Sequence, residues 1–153
     1  MIVRVFEGVA THFPARRSEW LAATMMVGWG RIVAASPDLF DTSPAYRHMA
    51  NMADESAWAF WATVIGAVRL AALFVNGTFH DKWYSLYSPH VRAVLSFATC
   101  FLWCQISLGL YGSGSFPPGL AIFPALAVND LLNGFSGWND AGKAAKASQH
   151  DAD

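Results

Sequence analysis

Two charged side chains stand where their neighbours give them no company. Arg69 lies in the later half of SAWAFWATVIGAVRLAALFVNG, residues 56–77, and Asp130 in the later half of PGLAIFPALAVNDLLNGFSGW, residues 118–138. A guanidinium and a carboxylate form charge-assisted, forked hydrogen bonds, the strongest polar pairing side chains offer. In apolar surroundings each is costly alone, and facing each other they reduce that cost. Asn129 and Asn133 can support the pair, Glu19 is a second carboxylate partner for Arg69, and Gln105 is the main polar group of a further apolar run. The competing reading lets Arg69 stretch its aliphatic stem toward water near Asn76, about two turns away.

Other residue types with chemical potential do not assemble into a site. Cys100 and Cys104 are four apart, on one helical face, with no His or Cys beside them to complete a four-ligand metal set. His12, His48, His80 and His90 are scattered near the ends of apolar runs. No HExxH, GxSxG or CxxC occurs, and GSGSFPPG, residues 112–119, lacks the lysine and preceding strand of a phosphate loop. No catalytic residue, metal or cofactor is therefore expected, and the chain reads as a non-enzyme.

The elements that must carry these residues are helices. Hydrophobic residues make up 54% of the 153 and charged ones only 14%, well below the roughly 25% of an ordinary globular domain. Four apolar runs, 19–35, 56–76, 91–112 and 118–138, have the length to cross a bilayer at about 1.5 Å per residue. Ser43-Pro44, Ser88-Pro89 and Pro117-Pro118 read as helix starts, Asn76-Gly77 as a helix end, and Pro124 as a kink. If the second helix begins at Pro44, its first part is an exposed docking element. The third run shows no polar face, which argues against a water-bathed bundle.

The fold expectation is thus all-α: a polytopic membrane protein of four transmembrane helices with short loops, both termini cytoplasmic. Residues 1–139 form the helical domain and 140–153 a short polar tail. Arginine and lysine fall mostly on the side of the termini. Trp20, Trp83, Tyr84 and Trp138 on one side, and Trp29, Trp58 and Trp61 on the other, then read as interfacial aromatics. In this topology Arg69, thirteen residues past Ser56, and Asp130, twelve past Pro118, lie at matching depth.

The functional expectation follows: an integral protein of the bacterial cytoplasmic membrane, serving as an accessory or self-assembling component. Its partners would be the lipid bilayer and a membrane protein or a second copy, with small residues such as Ala57, Ala62, Gly66, Gly109 and Gly112 allowing close approach. A holin-like lesion former and a small oligomeric channel or transporter are the alternatives. A net charge of -1 with no basic run excludes nucleic acid.

Overall fold

The structure, a computed structural model, describes residues 13, 16–78, 87–114 and 118–150. Six α-helices run through them: α1 Arg17–Ala34, α2 Leu39–Thr42, α3 Arg47–Ala50, α4 Glu55–Thr78, α5 Ser88–Gly112 and α6 Gly119–His150. α1, α4, α5 and α6 form an up-down-up-down bundle. Its strongest packing is within two antiparallel pairs, α1 with α4 and α5 with α6, and the α4–α5 face is looser.

Small residues explain why α1 and α4 come so close. A Cβ added to Gly30 would sit 2.9 Å from the Ala59 carbonyl oxygen and 2.5 Å from Thr63 Oγ1. One added to Gly66 would sit 3.0 Å from the Ala23 carbonyl oxygen and 2.7 Å from Val27 Cγ2. Ala23 and Ala62 are fully enclosed in the same contact. Each glycine therefore lies against partner backbone, which cannot move aside as a side-chain tip can. Gly66→Leu should force the pair apart and cost about 1–3 kcal/mol or more. Thermal unfolding followed by circular dichroism reads this directly, with Gly28→Ala, at a position where an added Cβ meets nothing, as the control.

The segment between α1 and α4 closes one end of the bundle. Pro44 opens a 3-10 turn, Pro44–Tyr46, and not a long helix; α3 then breaks off before α4 starts at Glu55. Met49 is fully buried and accepts a 3.0 Å hydrogen bond on its carbonyl from Trp58 Nε1. Phe40 is buried and stacks on Tyr46. The exposed docking arm expected here is instead a folded cap, because its apolar side chains reach the core. At the other boundaries, α5 starts at Ser88 with Pro89 in its first turn, and α6 runs unbroken through Pro124 and on past residue 139.

The four-span reading does not hold. By length and apolarity only two helical stretches among the described residues could cross a membrane, Glu55–Val75 and Ser88–Gly112. Two such helices are weak evidence, because core helices of globular bundles meet the same requirement. α1 carries Arg17, Glu19 and Arg31, and the 32-residue α6 carries Asp130, Asp140, Lys143 and Lys146. Several of these charges are matched inside the bundle. The multi-pass topology, the cytoplasmic placement of both termini, the bilayer and membrane partners and the membrane localisation all rested on four spans, and they fall with it. So do the membrane accessory or self-assembling component, the holin-like lesion former and the channel: the polar side chains that a pore would turn to water are turned onto one another. What remains of the fold expectation is an all-α helical bundle.

The bundle buries charge beside its apolar core and leaves many large apolar side chains outside. Phe60, Trp61, Val68 and Phe74 on α4, Val94, Phe97, Phe101 and Leu108 on α5, and Val128, Leu132, Phe135 and Trp138 on α6 are exposed. Arg69, Asp130, Arg92, Glu19, Ser96 and Thr99 are buried. The third run does have a polar stripe, Ser88, Arg92, Ser96 and Thr99, spaced four, four and three, and it faces inward.

Candidate functional site

Two ion-pair clusters lie inside the bundle. In the first, Arg69 Nη1 donates to Asp130 Oδ1 at 2.6 Å and to Thr99 Oγ1 at 2.9 Å. Asp130 Oδ2 accepts from Trp103 Nε1 at 3.1 Å, and Oδ1 takes a longer contact from Asn133 at 3.4 Å. Asn133 Oδ1 in turn accepts from Ser18 Oγ on α1. Arg69 and Asp130 are both at 0% exposure, so neither is open to bulk solvent. One pair thus ties α4, α5 and α6 at a single level, and the asparagine extends it to α1.

The second cluster sits nearer the start of α1. Arg92 grips Glu19 with both edges of its fork, Nε to Oε2 at 2.8 Å and Nη2 to Oε1 at 2.5 Å. Its Nη1 lies 3.5 Å from Asp140 Oδ2, which also lies 3.8 Å from Arg16 Nη2. Two guanidiniums and two carboxylates balance. Burial, then the repulsion of Arg92, holds the Arg16 guanidinium below its ordinary value, while Glu19 and Asp140 pull it back up.

Among the residues singled out in the sequence, Arg69, Asp130 and Asn133 meet. Asn129 makes no hydrogen bond to either charge among the described residues, and Glu19 belongs to Arg92, not Arg69. Gln105 is elsewhere, its Oε1 3.1 Å from His48 Nε2 at the capped end. Trp29 and Trp58 lie in the core, not at an edge; Trp20 is half-buried near Phe13, and Trp61 and Trp138 are exposed. Trp83 and Tyr84 lie outside the described residues. Sequence reasoning missed Arg92, Thr99, Trp103, Ser18 and Asp140 as partners. The spacing of Arg92, Ser96, Thr99 and Trp103 along one helical face was the available signal.

Cys100 and Cys104 are both free thiols, one half-buried and one exposed. No group of three or more His, Cys, Asp or Glu able to hold a metal occurs among the described residues. Burial first, then Cys104 beside it, pushes the Cys100 thiol up to about 11. Cys104 is exposed. Because the thiolate is the reacting species, a maleimide at pH 8 should modify Cys104 well before Cys100; mass spectrometry of Cys100→Ser and Cys104→Ser variants separates the two. The sign of the linkage also follows. The unfolded chain ionises at Cys100 first, so this thiol's contribution to stability is full below about pH 8.5 and falls as pH rises toward 11.

Two concavities have distinct chemistry. One, about 600 Å³, is lined by Arg31 together with Asp38, Asp41, Asp54 and Glu55, where α1 meets the cap. Asp38 turns the chain there with φ 85°, a left-handed conformation that aspartate adopts more readily than most residues. The other is a crevice of about 380 Å³ along the looser α4–α5 face, lined by Trp58, Trp61, Ile65, Phe101 and Leu102 around Ala57 and Ala98. Its walls are apolar, and the small alanines on facing helices leave it open.

Fold and site together define a class: an all-α bundle with a salt-bridged interior, an apolar exterior and an apolar crevice between two of its long helices. No protein-family model, curated protein or solved structure matches the chain.

Proposed function

We propose that this protein is a non-enzymatic binding protein whose α4–α5 crevice takes the apolar part of a small ligand. The observation that carries the reading is the crevice itself. Its volume of about 380 Å³ falls within the range of small-molecule sites, and aromatic and aliphatic side chains line it. It offers almost nothing to pair with a polar group, since Trp58 Nε1 is already bonded to the Met49 carbonyl. The part of a ligand that enters must therefore be hydrocarbon or an aromatic ring, selected by shape and by removal of apolar area from water. The absence of catalysis is part of the proposal. It is supported by the engagement of the buried carboxylates, Asp130 by Arg69, Trp103 and Asn133, and Glu19 by Arg92.

The test is displacement of N-phenyl-1-naphthylamine by straight-chain alcohols of increasing length. Each added methylene should tighten binding about fourfold, from ~0.8 kcal/mol per buried group, until the crevice is full. Ala98→Trp fills the crevice from its floor and should abolish the saturable, one-to-one component. Because the exterior is apolar too, probe binding that survives Ala98→Trp unchanged would sink the proposal.

A further inference from the structure

Arg69 carries five N–H donors in a rigid planar fork. Nη1 is used on Thr99 and Asp130. Nε and Nη2, on the opposite edge, are enclosed and have no protein acceptor, and the hydroxyl of Ser96, also at 0% exposure, has no partner. Enclosed donors of a cation are among the costliest polar groups to leave unmatched. Asp130 does not serve them: its oxygens accept from Arg69 Nη1, Asn133 and Trp103, on the other edge of the fork.

We propose that the Nε/Nη2 edge of Arg69 is an internal binding site for an ordered water molecule shared with the Ser96 hydroxyl. Charge selects the ligand class. Arg69 and Asp130 already sum to zero, so an anion on the free edge would leave a net negative charge in a buried, apolar setting. A neutral acceptor satisfies the guanidinium without that penalty. Thr99 brings Ser96 to the level of the guanidinium. Thr99 Oγ1 is 2.9 Å from Arg69 Nη1 and donates to the Ser96 carbonyl at 3.0 Å. Ser96 stands three residues before Thr99 on the same face of α5, about 5–6 Å away between Cβ atoms. A water accepting from Nε–H and Nη2–H and donating to Ser96 Oγ would match all three enclosed groups with hydrogen bonds of about 2.9 Å. It makes about three bonds, the usual number for buried water.

The site gives Arg69 a second hold on α5. Thr99 binds it directly and Ser96 through the water, so α4 and α5 are bridged at two points on a face where their packing is otherwise loose. No redox or covalent step is involved.

Nuclear magnetic resonance of the full chain, labelled with nitrogen-15 arginine, tests this. The Arg69 Hε signal is identified by its disappearance in Arg69→Lys, or by its shift in Ser96→Ala should the first variant not fold. Hε should show cross-relaxation to the water resonance with the sign of a long-lived internal molecule. Ser96→Ala should weaken it, and Ser96→Val, whose branched side chain takes the space, should remove it. An Hε signal without a water cross-peak overturns the site, as does one indifferent to Ser96→Val. A shift of Hε on titration with formate would mark an anion site and overturn the neutral ligand.

Discussion

Replacing Arg69 with methionine should cost the fold about 3–5 kcal/mol, a large share of the roughly 5–15 kcal/mol that holds a domain of this size together. The loss comes less from the missing attraction than from Asp130, left charged at 0% exposure with only Trp103 and Asn133 as donors. Asp130→Leu should be comparably damaging, since it strands the guanidinium and takes the acceptor from Trp103 Nε1. The double variant Arg69→Met/Asp130→Leu should then lie closer to the wild type than either single change, because no uncompensated charge remains. Exchanging the two residues restores charge balance but recovers less: an arginine at position 130 cannot accept from Trp103. Denaturant unfolding of the four proteins yields the coupling as a double-mutant cycle. Strict additivity would mean that the two side chains do not support each other.

Arg92→Met should be the second large loss, again about 3–5 kcal/mol. It removes both fork contacts from Glu19 and leaves Asp140 to Arg16 at 3.8 Å. The informative comparison is Arg92→Lys. Lysine keeps the charge but is a single ammonium without a planar fork, so it cannot hold both Glu19 oxygens and reach Asp140 together. The lysine variant should fall between wild type and methionine in thermal midpoint, and Glu19→Gln combined with Arg92→Met should recover part of the loss. If lysine matches the wild type, the forked geometry contributes nothing and charge alone suffices.

These two clusters work on register more than on net stability. A buried ion pair gives back in attraction about what it loses in dehydration. Yet sliding α4 against α6 by one turn, about 5.4 Å, would separate Arg69 from Asp130 and leave both unmatched. The wrong registers are raised in energy even where the right one is hardly lowered. The exterior aromatics and aliphatics select a register less sharply, because apolar contacts such as Phe97 on Phe135 carry no charge that a slip would leave unmatched.

That distinction also sets what the sequence could tell. The long helices were legible: runs of apolar residues bounded by Ser88-Pro89, Pro117-Pro118 and Asn76-Gly77 leave little choice of local structure. Arg69 and Asp130 were legible as anomalies at one depth, because parallel helices with similar starting points place equal counts of residues at equal heights. The ring of contacts around them was not. Thr99, Trp103 and Arg92 look ordinary in a list of residues, and only the rotation of α5 about its axis turns their face inward.

The misreading as four spans has the same origin. Composition records how many apolar and charged residues there are, not which way they point. Glu19 was offered to Arg69 and Arg92 was counted only for its charge, but Glu19, Arg92 and Asp140 meet because α1, α5 and α6 bring distant positions within bonding distance. Trp29 and Trp58 were assigned to an edge, but the cap over α4 buries Trp58 against Met49. By itself the sequence determined the helical class, the helices' order and the one charge pair whose depth could be counted. Side-chain direction, and with it the second cluster, the folded cap and the crevice left by Ala57 and Ala98, was decided only when helices far apart in the chain packed together.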